Sequence, residues 1–309
     1  MKQWVLQPSS NTQSPDALLR MNIFSFSMRN FASRVVTPLA VGAGVVAMLI
    51  AVCGCRPATE PANRLASATS YLESAAQEFF GGEADFVRLA EPGTCPGHFD
   101  IRPSQAADLR RCRALVRFDF QSSLDKFLDA KGTNGPAVVE VRIHNGLGLP
   151  ESYLSACRQI GAALVARGFL EQTNEETTLQ AVAARMAVLA QEATNQVAQA
   201  GLSGVSVITS VHQKDFCEWL GLKVVATFRA ADTASVAEID DAITAGQLTE
   251  VKLVIANLPE GRRTADALAE RLGARVAAFG NFPVIEHGRV YFDDLVRTNV
   301  AALFAAGRP

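Results

Sequence analysis

Short apolar runs alternate with amphipathic stretches along most of the chain. In the first half, the apolar runs are rich in Val, Leu and Phe and predict strands, and the stretches between them predict helices. The predicted strands are Arg64 to Ala68 (the weakest), Ala84 to Ala90, Ala114 to Phe118 and Ala137 to Arg142. The predicted helices are Tyr71 to Phe80, Pro103 to Arg111, Leu124 to Ala130 and Pro150 to Arg167. This βαβ order predicts a parallel sheet covered on both faces.

A longer helical pattern follows, from Asn174 to Gly201. Its apolar residues keep spacings of three and four, which indicates one long helix with a single buried seam. The seam residues are Leu179, Val182, Met186, Leu189, Ala193 and Val197. Asn174 is a suitable N-cap and Gly201 can end the helix in a left-handed conformation. We expect this helix to join two halves of the protein.

The second half repeats the alternation of the first. The predicted strands are Val205 to Thr209, Lys223 to Phe228, Val251 to Ala256 and Arg275 to Phe279. The predicted helices are Gln213 to Leu220, Val236 to Ala245, Thr264 to Leu272 and Asp293 to Ala306. Gly221, Gly246 and Gly273 each stand just past a predicted helix, where glycine is favoured. The predicted fold is therefore α/β, with two parallel-sheet βα lobes joined by one long helix.

Composition agrees with two packed domains. The chain has 309 residues, of which 49% are hydrophobic and 19% charged. A net charge of -2 offers no basic field for nucleic acid. We expect residues 1–62 to hold an export signal, lipobox and linker, 63–172 the N-terminal lobe, 173–202 the connecting helix and 203–309 the C-terminal lobe.

The first of these segments has the order of a bacterial export signal. Basic residues precede an apolar run from Val35 to Val52, and a Pro-rich polar stretch follows. Gly54 before Cys55 resembles a lipobox, so Cys55 is the predicted lipidated residue, with Cys53 as the alternative. An uncleaved transmembrane helix is the other reading, since the run is just long enough to span. Both place the rest of the chain outside the cytoplasm, as a periplasmic or outer-surface protein anchored to the membrane.

Four cysteines remain in the body of the chain. Disulfides persist outside the cytoplasm, and Cys95 and Cys112 are close in sequence and near loops, so a bridge between them is one possibility. Cys157 and Cys217 lie within helical patterns and are predicted to be small core residues.

The chain has only four histidines, and each follows the carboxyl end of a predicted strand. Ligands bind at that edge of open parallel sheets. Two histidines come from each half, so they can converge in a cleft between the lobes, and imidazoles are preferred zinc ligands. The four predicted metal ligands are His98, His144, His212 and His287.

Three segments resemble a known family. EPGTCPGHFDIRPSQ, from Glu91, resembles the first metal-ligand loop of the periplasmic solute-binding proteins of ABC importers that carry zinc and manganese (cluster A-I). SVHQKDFCEWLGLKVVATF, from Ser210, resembles the segment in which a ligand histidine precedes a helix and the next strand. HNGLGLPES, from His144, resembles the loop of the middle histidine. The resemblance covers nearly the whole body, including the long helix and the final TNVAALF.

The resemblance implies two lobes clamped by a rigid helix, with one divalent metal between them that is handed to an ABC permease in the membrane. It implies His98, His144 and His212 as ligands. The chain departs from the family pattern in three places. His98 stands one position late, and the middle loop lacks the usual Trp and Asp-Pro. After the last strand, where the family often has an acid, the chain offers Asn281, Glu286 or His287.

Three imidazoles favour zinc over manganese, which prefers carboxylate oxygen. Cys95 could add a thiolate and shift the preference towards copper, although a disulfide or structural role is favoured because exposed thiols oxidise easily. A bound metal chelate also fits the pattern.

Two other function classes are compatible with these residues. One is a zinc hydrolase with three histidines and a general base such as Glu286 or Asp215. The chain has no HExxH, G-x-S-x-G or Walker motif, and we therefore expect no enzyme activity. The other is a metal-free descendant that acts as a protein-interaction module.

Overall fold

Alternating strands and helices build the first half of the chain into an open parallel sheet. The computed structural model describes residues 64–81, 84–91, 101–128, 135–286 and 289–307. The elements of this half are β1 (Arg64–Ser67), α1 (Ser70–Gln77), β2 (Asp85–Arg88), α2 (Pro103–Leu109), β3 (Ala114–Phe118), a 3₁₀ helix (Asp119–Phe127) and β4 (Ala137–Val141). The strands pair in parallel in the order β2-β1-β3-β4.

Two helices lead into the second half, which has the same sheet order. They are α3 (Pro150–Ala166) and α4 (Gln172–Gln199). The elements that follow are β5 (Ser206–Ser210), α5 (Lys214–Trp219), β6 (Lys223–Phe228), α6 (Val236–Leu248), β7 (Leu253–Asn257), α7 (Arg263–Leu272), β8 (Arg275–Phe279), β9 (Ile285–Glu286), β10 (Arg289–Val290) and α8 (Phe292–Gly307). The order β6-β5-β7-β8 is again all parallel, and β9 and β10 form a small antiparallel pair.

The predicted fold class is confirmed: two four-stranded parallel sheets with covering helices are joined by one long helix. Strand bounds agree with the prediction to within two residues, because buried apolar runs specify parallel strands directly. The predicted export signal and Cys55 lie outside the described residues. Within the described ranges, no helix is both long enough and apolar enough to cross a membrane.

The connecting helix α4 has 28 residues, which corresponds to a length of about 42 Å. The predicted seam is buried at Val182, Met186, Leu189, Ala193 and Val197. The predicted end at Gly201 is confirmed, since this glycine has a φ of +70°. The predicted N-cap was wrong. The helix begins at Gln172 after Glu171, and the backbone N–H of Asn174 already donates to the backbone carbonyl of Glu171.

Two other local predictions were wrong. The helix expected over Leu124 to Ala130 is a 3₁₀ helix that begins earlier, at Asp119. Gly246 does not follow its helix but lies inside α6, where a Cβ would come within 2.8 Å of Ile208 Cδ1 and Leu272 Cδ1. The residue is glycine there because α6 packs closely against its neighbours.

One hydrophobic cluster spans both halves, and a second lies within the second half. Residues of the first sheet, such as Leu115, belong to the same buried cluster as Val207 and Phe279 of the second. Stacked rings bridge the halves, since Phe292 of α8 lies 4.2 Å from the ring centroid of Tyr153 in α3. The long helix is therefore not the only connection between the lobes.

The predicted core cysteines Cys157 and Cys217 are fully buried, and burial raises the pKa of both thiols. Cys112 is buried, with its Sγ 3.4 Å from the Asp108 carbonyl oxygen, and burial raises the pKa of its thiol to about 11. Cys95 lies outside the described residues, so its pairing with Cys112 stays a prediction.

Candidate metal-binding site

The second sheet has its topological switch point between β5 and β7. The chain crosses from β5 to β6 on one side and then returns to β7 on the other. Loops that leave two such strands diverge at their carboxyl ends and open a crevice, which is where ligands bind in sheets of this kind. His212 follows β5 at this edge, and Glu260 follows β7.

The side chains of these two residues are in contact. His212 Nε2 lies 3.1 Å from Glu260 Oε1. Ser210, the last residue of β5, donates from Oγ to Glu260 Oε2 at 2.9 Å and accepts the backbone N–H of His212 at 3.4 Å. One hydroxyl therefore holds both the carboxylate and the start of the turn that carries the imidazole.

Short 3₁₀ turns place both side chains. Val211–Gln213 presents His212, and Leu258–Glu260 presents Glu260. Pro259 suits the first turn of a helix, and Gly261 closes the turn with a φ of +79° that other residues rarely adopt. The position of Glu260 thus follows from the local sequence.

The two side chains differ in exposure. The imidazole of His212 is 57% exposed and the carboxylate of Glu260 only 17%. The hydrogen bond to Glu260 raises the pKa of His212, and partial burial opposes it. Burial works to raise the pKa of Glu260, but the hydrogen bonds from His212, Ser210 and Asn257 outweigh it and lower the pKa. The carboxylate is therefore held ionised, and the imidazole is accessible from solvent.

A buried amide network lies beside this pair. Gln213 Nε2 donates to Asn257 Oδ1 at 3.0 Å and to Asn281 Oδ1 at 2.8 Å. All three side chains are buried. Asn281, a candidate fourth ligand after the last strand of the sheet, thus already uses its amide oxygen to accept a hydrogen bond within the protein.

The loop that carries His144 packs against the helix that follows His212. His144 is exposed, three residues after the end of β4. A Cβ on Gly146 would lie 3.0 Å from Asp215 Cβ, and one on Gly148 would lie 2.8 Å from Phe216 Cδ2, both in α5. Glycine is needed at these positions for the close approach. The segments that bear His144 and His212 therefore pack against each other across the two halves.

Gln105 ties both ends of the loop between β2 and α2, which includes the predicted ligand His98. Its Nε2 donates to the carbonyls of Arg88 and Leu89 at 3.0 Å, and its Oε1 accepts the N–H of Arg102 at 3.0 Å. His98 and His287 lie outside the described residues, as do Cys95 and the side chain of Glu286. Their roles stay predictions.

Within the described part of the chain, no three His, Cys, Asp or Glu side chains are grouped closely enough to hold a metal ion. The structure does bring His212 and Glu260 together. The sequence did not single out Glu260, because the ligand candidates were the histidines, Cys95 and the residues after the last strand. The sequence does contain a signal for it: Glu260 comes shortly after a buried strand, at the same edge of the sheet as His212.

Comparison with known families decides the classification. The model of the ZnuA family, described as zinc-uptake complex component A, periplasmic, matches residues 66–306. The chain belongs to this family. This ZnuA-family protein is thus a metal-capturing, extracytoplasmic substrate-binding component of an ABC importer, and the family is one of transport proteins rather than enzymes.

Solved structures share its fold. A periplasmic metal-binding protein from Candidatus Liberibacter asiaticus matches with a TM-score of 0.67 and 12% identity, over 79% of this chain and 99% of that one. The manganese-bound form of that protein matches with a TM-score of 0.66 and 12% identity, over 79% and 98%. A crystal structure of ZnuA matches with a TM-score of 0.64 and 14% identity, over 80% and 100%. A comparison with curated proteins finds no match.

Proposed function

We propose that this ZnuA-family protein captures zinc through His98, His144 and His212, in a cleft between the lobes 63–172 and 203–309 that the helix 173–202 connects. The observation that supports it is the contact of the His144 loop with the helix that directly follows His212, at the carboxyl edge of the second sheet. Two imidazoles from different lobes can then reach one ion.

The choice of zinc rests on ligand chemistry. Imidazole nitrogen suits zinc, whereas manganese prefers carboxylate and water oxygen. The protein from Candidatus Liberibacter asiaticus has been solved both with manganese and with cadmium bound, so the fold accepts more than one divalent ion. Manganese and copper are the alternatives that a competition assay should include.

Elemental analysis of protein purified without chelators tests the site. We expect about one zinc per chain in the wild type, and loss of most of this metal in His98→Ala, His144→Ala and His212→Ala. Glu270→Ala, an exposed residue in α7, is the control and should keep its zinc. Unchanged affinity in all three histidine variants would show that the cleft is not the binding site.

We also propose that the protein is a lipoprotein anchored through Cys55, that it hands its ion to the permease and that it has no catalytic activity. Metabolic labelling with a palmitate analogue should mark the wild type and not Cys55→Ser. Zinc-loaded protein should turn over neither ester nor phosphate substrates. Turnover that His212→Ala abolishes would instead support the hydrolase reading.

A further inference from the structure

We propose that Glu260 is itself a ligand of the transported ion, paired with His212. The inference rests on the proposed function, because it takes His212 as a metal ligand. It adds a carboxylate from the loop after β7 to a site that the sequence predicted from histidines and from residues after the last strand of the sheet.

The distance between the two side chains is the first argument. Two ligand atoms about 2.1 Å from a tetrahedral zinc ion lie roughly 3.4 Å apart. His212 Nε2 and Glu260 Oε1 are 3.1 Å apart. A metal ion can therefore take the place of the shared proton with a displacement of only a few tenths of an ångström, and the displaced proton goes to solvent.

The hydrogen bonds of the carboxylate are the second argument. Ser210 Oγ binds Oε2, which leaves Oε1 directed at the imidazole. A ligating carboxylate is commonly held by a hydrogen bond to its other oxygen, which fixes its orientation. The carboxylate of Glu260 is 17% exposed and the imidazole of His212 is 57% exposed, so an entering ion reaches the imidazole more readily.

The neighbouring candidate is less suited to the role. Asn281 is neutral, and its Oδ1 accepts a hydrogen bond from Gln213 at 2.8 Å. A cation there would have to share a buried amide oxygen with the hydrogen bond from Gln213. Glu260 instead supplies a negative charge to balance the cation, at the same edge of the sheet.

A cysteine in place of the glutamate gives a direct test. A thiolate bound to cobalt(II) produces a charge-transfer absorption band, and a metal-bound thiol is deprotonated outright. We expect this band in cobalt-loaded Glu260→Cys. It should be clearly stronger than any band of the wild type, in which Cys95 is the other candidate thiolate, and than that of Glu218→Cys, a control with an exposed cysteine on α5. Circular dichroism should show that all three proteins are folded.

Affinity measurements separate a ligand from a residue that only orients one. Loss of a residue that only orients a ligand typically weakens metal binding 10 to 100-fold. Loss of a ligand should cost more, so we expect Glu260→Gln to weaken zinc binding by about 100-fold or more. If His212→Ala loses affinity while cobalt-loaded Glu260→Cys shows no stronger band than the wild type, this inference is overturned and the proposed function stands. If His212→Ala also keeps full affinity, the proposed function itself fails.

Discussion

Arg185 of α4 links carboxylates from both halves of the protein, and its removal should destabilise the fold in a pH-dependent way. Its guanidinium donates from Nη1 and Nη2 to the carboxylate of Glu78, the residue that follows α1. Its Nε donates to Asp293 Oδ1, in the first turn of α8, at 3.2 Å. The change Arg185→Met keeps most of the apolar stem and removes these bonds.

The size of the effect follows from burial. Glu78 and Asp293 are 17% and 13% exposed, so the variant leaves two carboxylates that are poorly solvated and close to each other. Hydrogen bonds to charged groups contribute about 1.5–3 kcal/mol when buried, but Arg185 itself is 41% exposed and solvent screens it. We therefore expect a loss of about 2 kcal/mol, which corresponds to a fall in Tm of about 4–8 °C for a domain of this size.

The sign of the pH dependence can be worked out from Asp293. Burial raises the pKa of this carboxyl, and the charge of Arg185 opposes the rise. The variant should therefore have a higher Asp293 pKa than the wild type. The protein in which the folded-state pKa of an acid is lower is the more stable one at pH values above the titration range, and it loses this advantage as the pH falls through that range. The advantage of the wild type should be largest near pH 7 and should shrink below about pH 5.

Urea unfolding of the metal-free proteins, followed by far-UV circular dichroism at pH 7 and at pH 4.5, measures this difference. Arg297→Met is the matched control, because its ion pairs with Glu192 and Asp294 are exposed and long, at 3.8 and 3.7 Å. It should cost about 0.5 kcal/mol or less. An equal loss for Arg185→Met at both pH values, or a loss no larger than that of the control, would refute the reasoning.

Three further predictions concern the site and the core. When the pH is lowered, zinc affinity should already begin to fall above pH 6.5, because Glu260 raises the pKa of His212 and the metal needs the neutral imidazole. In Glu260→Gln the pH at which half of the affinity is lost should be lower. Competition with a chromogenic chelator measures both. Gly221→Ala should cost about 1–2 kcal/mol of unfolding free energy, since this residue has a φ of +87°, and a cost near zero would show that the turn relaxes. Phe292→Ala should cost about 3–5 kcal/mol in urea unfolding, because its ring is fully buried against Tyr153, whereas Phe292→Leu should cost clearly less.

Local patterns in the sequence were sufficient for most of the fold. The strands Lys223–Phe228 and Arg275–Phe279 were predicted residue for residue, because each is a Val- and Ala-rich run between helical stretches. Helix ends were less certain. The start of α4 was misplaced because its N-cap residue, Glu171, makes no side-chain capping bond that a sequence signal could reveal.

The sequence by itself also determined that histidines stand after strands, since strand order along the chain and residue type are both local information. Which of these loops meet was decided only by the tertiary structure. Glu260 reaches His212 because β7 pairs directly with β5, although α5, β6 and α6 separate the two strands in sequence. Strand pairing of this kind depends on how helices pack across the whole sheet, so the contact between His212 and Glu260 appears only when the chain is folded.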